Sequence, residues 1–231
     1  MQFDGLLISI PWIALMLFLL FRLFPSISRS QLTILFGVKV IFTFLLQALY
    51  TYHFSDRSTA DIFRFFDDGM ILNQVFGENP GLFFQIILGL DAGPEAQAVF
   101  EKMNSWIKPF DSGFYNDNHI MIRVNALIGF VSFGYYEVHG LIYSFASFSG
   151  MLLLVKSLLD QKDRVIGYWL VVLFPSSLIW LSGGLKESLL MFGLGLTVFG
   201  LLKEMGLTKR VPFLLVGVFI LASVKLYFLL A

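Results

Sequence analysis

Six apolar runs, near residues 6–24, 32–52, 138–157, 165–182, 185–202 and 211–230, are each long enough to cross about 30 Å of hydrocarbon at about 1.5 Å per residue. In lipid the backbone N–H and C=O groups of such a run must pair within the run itself, which leaves the α-helix. The chain is therefore predicted to be an all-α, polytopic membrane bundle of about six spans. Charged residues make up only 14% of the 231 residues, about half the soluble-protein average of about 25%, and 57% are hydrophobic, which excludes a soluble globular domain. Sixteen Lys and Arg balance sixteen Asp and Glu, so no net basic field draws nucleic acid, and a nucleic-acid partner is excluded. No cysteine is present, which removes disulfides, thiolate metal sites and a cysteine nucleophile. The first run has no Lys or Arg before it and Arg22 after it, the reverse of a cleaved signal peptide, and reads as a permanent anchor.

Cations set the orientation, because Lys and Arg resist translocation. Arg22 and Arg29 separate the first two runs, Lys156, Lys162 and Arg164 the third and fourth, and Lys203, Lys209 and Arg210 the fifth and sixth. These three connections share one side, assigned to the cytoplasm, and segment 53–122 then faces outward as a loop on a single membrane domain covering 1–231. That segment holds ten Asp and Glu against four Lys and Arg. The last run stops at Leu229-Leu230-Ala231 without a polar tail, as expected of a fragment of a longer protein.

A loop of this length is predicted to carry the function. Ser58 or Thr59 can cap a helix over 60–76 that stops at Gly77, with Phe63, Phe66 and Met70 as an apolar stripe for the membrane surface. Its polar edge carries Asp61, Arg64, Asp67 and Asp68, with Arg64 three or four residues from each carboxylate. Gly69 next to them admits another backbone or a ligand. The plainer reading of this edge is a solvated ion-pair network. A second helix is predicted from Pro94 to about Ile107. The turn-rich aromatic stretch 108–118 follows as lid or filler. Residues 119–133 then read as an amphipathic or re-entrant helix with Arg123 near its start, a cation that wants an anion: a lipid headgroup or a substrate phosphate.

At 174–188 Pro175 can kink the fourth run and Gly183-Gly184 allow a tight turn, and Lys186 and Glu187 open the fifth helix, where the helix dipole favours a phosphate. Snorkelling of Lys186 beside its neighbour explains the pair equally well. Lys225, near the outer end of the last run and next to Tyr227, is predicted at the depth of Lys186. Lys39 is predicted to reach the cytoplasmic headgroups and His53 and His139 to be interfacial. The three histidines share no zinc spacing.

This layout resembles the GT-C superfamily of membrane glycosyltransferases, which use polyprenyl-phosphate sugars at the outer face of the membrane. The resemblance rests on the acidic motif Phe65-Phe66-Asp67-Asp68-Gly69 in the first large loop, on Ile122-Arg123-Val124-Asn125 entering the next span, and on the Pro-Ser, Trp-Leu-Ser-Gly and Lys-Glu groups of 175–187. The last stretch is also similar to a pattern in bacterial envelope-polysaccharide membrane proteins. The chain departs from the superfamily in having one additional run before the acidic loop, fewer runs in all and no soluble C-terminal domain. The resemblance implies that Asp67 or Asp68 is the general base for an acceptor hydroxyl, that Arg64 holds the acidic pair ionised, and that Arg123, Lys186, Glu187 and Lys225 belong to the substrate site. It further implies a polyprenyl-phosphate-linked sugar as donor, a glycan or lipid as acceptor, and a bacterial inner-membrane location. No cofactor is required, although the carboxylate pair can contribute to a divalent-cation site. The competing expectation is a non-catalytic transporter or export scaffold, which calls for ionisable groups and broken helices at the bilayer midplane.

Overall fold

A computed structural model describes residues 3–54, 57–90, 93–107 and 116–226 of the chain. Eleven α-helices lie within them, and no strand is found among the described residues. Four are long and apolar enough to cross a membrane: α1 (Phe3–Leu23, apolar from Asp4), α2 (Arg29–His53), α7 (Tyr136–Leu158) and α11 (Leu207–Val224). They correspond to the first, second, third and sixth predicted runs. The fifth is α10 (Lys186–Leu202), 17 residues or about 26 Å long. The fourth is two short helices, α8 (Arg164–Leu173) and α9 (Pro175–Trp180). Pro175 explains the break: Phe174 before it is held extended, at φ −59° and ψ 128°, and Pro175 then restarts the chain from the first turn of α9.

Helices α7 and α10 form the centre. Gly150 and Gly195 face each other there, and a Cβ on Gly195 would collide with the Gly150 carbonyl oxygen. Helix α11 packs antiparallel on α10 through Gly193 and Gly217, while α1 and α2 lie against α7. The α1–α2, α7–α8 and α10–α11 connections, which carry the eight cations Arg22, Arg29, Lys156, Lys162, Arg164, Lys203, Lys209 and Arg210, therefore gather at one end of the bundle.

The other end is covered by a helical cap: α3 (Asp61–Glu78), α4 (Pro80–Leu88), α5 (Gly93–Phe100) and α6 (Asn118–Ser132). Helices α3 and α6 form its main contact, and Gly69 lets α3 close onto the backbone of Asn125 and Ala126. One apolar core joins cap to bundle, with Phe65, Trp106 and Met121 packed in the same cluster as Tyr143, Leu189 and Leu221.

Several elements differ from the sequence expectation. Phe63 and Phe66 of the stripe expected at the membrane surface are buried, because α3 packs that face inward. Ala60, with no side-chain cap, rather than Ser58 or Thr59, opens a helix that continues past Gly77 to Glu78. Helix α5 ends at Phe100 rather than near Ile107, because the backbone N–H groups of Asn104 and Ser105 turn to the Asp68 carboxylate instead of to helical carbonyls. His139 is buried rather than interfacial. Asn125 donates through Nδ2 to the Met121 carbonyl, so its Oδ1 accepts from His139 Nδ1 (2.7 Å), and His139 Nε2 accepts the Ser132 hydroxyl (2.7 Å). Lys39 does not reach a headgroup. It is fully buried within α2, with Nζ donating to the carbonyls of Ser177 (3.0 Å) and Leu181 (2.7 Å) and to Ser182 Oγ (2.7 Å).

Candidate functional site

The cap presents the predicted acidic and basic residues in three separate settings. Asp67 is partly exposed and takes a bidentate pair of hydrogen bonds from Arg57, Nε to Oδ2 at 2.8 Å and Nη2 to Oδ1 at 2.7 Å. The Arg57 guanidinium also covers the Phe63 ring at 4.1 Å, beside a cleft of about 190 Å³ bordered by Thr51, Phe66, Tyr136 and Glu137.

Asp68, one residue on, is fully buried. Its two oxygens accept the N–H groups of Asn104 (2.8 Å) and Ser105 (2.7 Å). Burial raises its pKa above the ordinary carboxylate value, with the two N–H donors and the Arg64 charge pulling the other way and Asp67 adding to the rise. Arg64 spends its Nε on Ser105 Oγ (2.7 Å) and approaches Asp61 at 3.5 Å, so it acts on Asp68 through its charge and not as the shared clamp expected from spacing.

From Ser105 a polar chain leads inward. The Ser105 carbonyl accepts from Asn118 Nδ2 (3.0 Å), and Asn118 Oδ1 accepts from Lys186 Nζ (2.8 Å). Lys186 also pairs with Asp117 (2.6 Å) and stands over the Phe65 ring at 5.2 Å. The adjacent Glu187 meets Lys225 at 3.6 Å, so these last two predicted residues do come together at the cap ends of α10 and α11. Tyr227 lies outside the described residues, as does 108–115 of the turn-rich stretch.

Arg123 faces elsewhere, about 140° around α6 from Asn118. Its Nε donates to the Ile86 carbonyl (3.0 Å) at the end of α4, where Gly89, at φ 73°, leaves room for the guanidinium. The guanidinium lies 5.4 Å from the Trp106 ring, which stacks on Phe100 (4.5 Å) and on His119 (4.0 Å). His119, four residues before Arg123 and so on the same face, is bonded through Nε2 to the Trp106 carbonyl at 2.8 Å. Among the described residues no carboxylate pairs with Arg123. Burial lowers its basicity, yet a guanidinium stays charged at neutral pH.

Two cavities meet at this cation. One, of about 640 Å³, runs between α6 and α11 along Leu88, Val124, Leu127 and Phe219 and ends at Asn116, His119 and Arg123. The other, of about 430 Å³, lies between α4, α5 and α6, bordered by Gly89, Gly93, Gln97, Phe100 and Trp106, and shares His119 and Arg123. The predicted residues thus do not share one pocket: Asp68 and Lys186 are linked through Ser105 and Asn118, Glu187 and Lys225 pair beside them, Asp67 belongs to the Arg57 cleft, and Arg123 stands alone between its two cavities. Trp106, Asp117, Asn118 and His119 are additions of the structure. Among the described residues no three His, Asp or Glu side chains converge on a metal-sized site. Compared with known protein families, curated proteins and solved structures, the chain matches none of them.

Proposed function

We propose that the chain is an integral membrane glycosyltransferase that takes a sugar from a polyprenyl-phosphate donor at the cap end of the bundle and passes it to a glycan or lipid acceptor of the cell envelope. The observation that carries this reading is Arg123: a half-buried cation that no carboxylate among the described residues pairs with, at the junction of an apolar-walled groove and a more polar cleft. A lipid-linked sugar has that same order of parts. Its chain would follow Leu127 and Phe219, its phosphate would meet Arg123, and its sugar would lie toward Gln97 and the Phe100–Trp106–His119 stack.

In the reaction, the acceptor oxygen bonds to the anomeric carbon and gives its proton to a carboxylate. The bond from that carbon to the phosphate oxygen breaks, and its electron pair leaves with the polyprenyl phosphate. A fixed guanidinium favours this step by stabilising charge that grows on the leaving oxygen. Asp67, with part of its surface open, is the base in this reading, but it pairs with Arg57 beside that residue's cleft and not at the Arg123 cavities, so the step requires the cap to bring the two together. Asp68 is a positioning residue, since both of its oxygens hold the turn that carries Trp106.

The competing reading, a transporter or scaffold, draws on Lys39 and the break at Pro175. An ammonium has three protons to donate, however, and all three acceptors come from 177–182, which makes Lys39 a clamp on the α9 segment rather than a cargo site.

The test is transfer of labelled sugar from membrane-extracted polyprenyl-phosphate donors to endogenous acceptors, in membranes containing the wild-type chain, Arg123→Gln or Asp67→Asn. Transfer by wild type that both variants lose is the expected result. Equal transfer with and without the chain overturns the reading.

A further inference from the structure

Two stretches of the cap contain no Asp, Glu, Lys or Arg at all: 79–90, which forms α4, and 124–136, which includes the C-terminal half of α6. Each buries one side. Leu82, Phe83 and Ile86 of the first and Ala126 and Ile128 of the second belong to the core. Their other sides are open and mostly apolar, with Leu88 69% exposed and Phe133 78% exposed, with Phe84, Phe130 and Val131 less so, and with Gln85 the one polar side chain exposed within α4. Phe76, Phe83, Phe84 and Phe130 form one connected set of rings, centroids 4.9 to 6.1 Å apart, so this is a surface rather than scattered side chains. Of the charged side chains of the cap, Arg57, Asp61 and Asp67 belong to the start of α3 and the turn before it, while Glu78 and Glu95 mark the edge of the flank at the N-terminus of α4, where Glu95 meets Asn79.

The position of this flank along the bundle identifies what covers it. Leu88 and Leu127 share a groove with Phe219, which lies five residues, about 7.5 Å, inside the end of the spanning helix α11. Phe219 and Leu215 of α11 are themselves open and apolar. The flank of α4 and α6 therefore continues the outer surface of a spanning helix, at a depth where that helix meets hydrocarbon. A protein partner would need polar groups to fix its register, and these two stretches offer no charge for it.

We propose that the aromatic flank formed by α4 and the C-terminal half of α6 is immersed in the lipid hydrocarbon, so that the cap is a wedge in one leaflet and the Arg123 groove opens sideways into the bilayer. This inference is independent of any catalytic role.

The absence of cysteine makes the test direct. Single cysteines at Leu88, Phe84 and Phe133 are spin-labelled in the full chain, together with Leu215 as the lipid-facing reference and the exposed Glu101 as the aqueous one, and reconstituted into phosphatidylcholine vesicles. Collision with oxygen and with a water-soluble nickel chelate is then measured. The expected result is that the three cap sites match Leu215, with oxygen favoured over nickel, and differ from Glu101. Nickel access equal to that of Glu101 overturns the proposal, and so does shielding from both reagents, the mark of a covering protein. Using three sites keeps the test decisive if one label disturbs the fold.

Discussion

Lys39 Nζ donates to the carbonyl oxygen of Leu181 at 2.7 Å, across 142 residues of chain and inside the apolar part of α2. With Ser177 and Ser182 it makes the broken fourth run a fixed segment. Lys39→Met is expected to destabilise the protein by about 1–3 kcal/mol for each buried acceptor left without a donor. Unfolding in detergent by heat or by SDS titration measures this, and a midpoint equal to wild type contradicts the clamp.

Asp67 and Asp68 should respond oppositely to substitution. Asp67→Asn removes half of an exposed ion pair and is expected to cost at most about 1 kcal/mol of stability. In the catalytic reading it lowers sugar transfer by about 10²- to 10⁴-fold. Asp68→Asn cannot accept both N–H groups as an ionised carboxylate does, and is expected to cost about 1–3 kcal/mol and loosen the 104–106 turn. Hydrogen exchange at Asn104 and Ser105, set beside the transfer assay, separates the two residues.

The raised pKa of Asp68 gives stability a definite slope with pH. Over the range between its unfolded and folded values the folded state holds a proton that the unfolded state has released, so stability is greater on the acid side and falls as pH rises through that range. Thermal midpoints of wild type and Asp68→Asn, measured from the ordinary carboxylate range upward, test the sign. The slope belonging to this residue is expected to vanish in the variant.

Arg123→Gln is expected to weaken binding of a polyprenyl phosphate by about 10- to 100-fold, the equivalent of losing charge-assisted hydrogen bonds to its phosphate, and to leave folding close to normal. Fluorescence or isothermal titration with a short-chain polyprenyl phosphate measures it. Unchanged affinity removes Arg123 from the phosphate seat.

Gly195→Leu is expected to destabilise the bundle by about 1–3 kcal/mol or to block assembly, because a side chain there meets the Gly150 backbone. Exposed Gly206, with open space around its missing Cβ, is the control for an unrelated glycine change.

Much of the helical layout was legible because a long apolar run admits only one backbone solution, and Pro175 marked the site of the break. That Arg123 is a cation in an otherwise apolar run was legible, whereas its bond to the Ile86 carbonyl and its place beside Trp106 were not. What escaped the sequence depends on contacts between distant segments. Adjacent carboxylates in α3 look interchangeable until Asn104 and Ser105, 36 and 37 residues on, turn to one of them. Lys39 was read as reaching the cytoplasmic headgroups because a lone cation in an apolar run ordinarily snorkels, whereas its acceptors lie on a segment more than 130 residues away. Trp106 and His119 meet through a loop, which leaves no periodic pattern to detect.

Where α7 and α10 cross at Gly150 and Gly195, main chain rests on main chain and no side chain cushions the contact. A displacement of either helix is passed to the other undiminished, so the pair behaves as a single rod. That rod is hydrogen-bonded to α6 of the cap from both of its helices, through His139 and Tyr143 on α7 and Lys186 on α10, and a ligand that shifts α6 must therefore push on both helices at once.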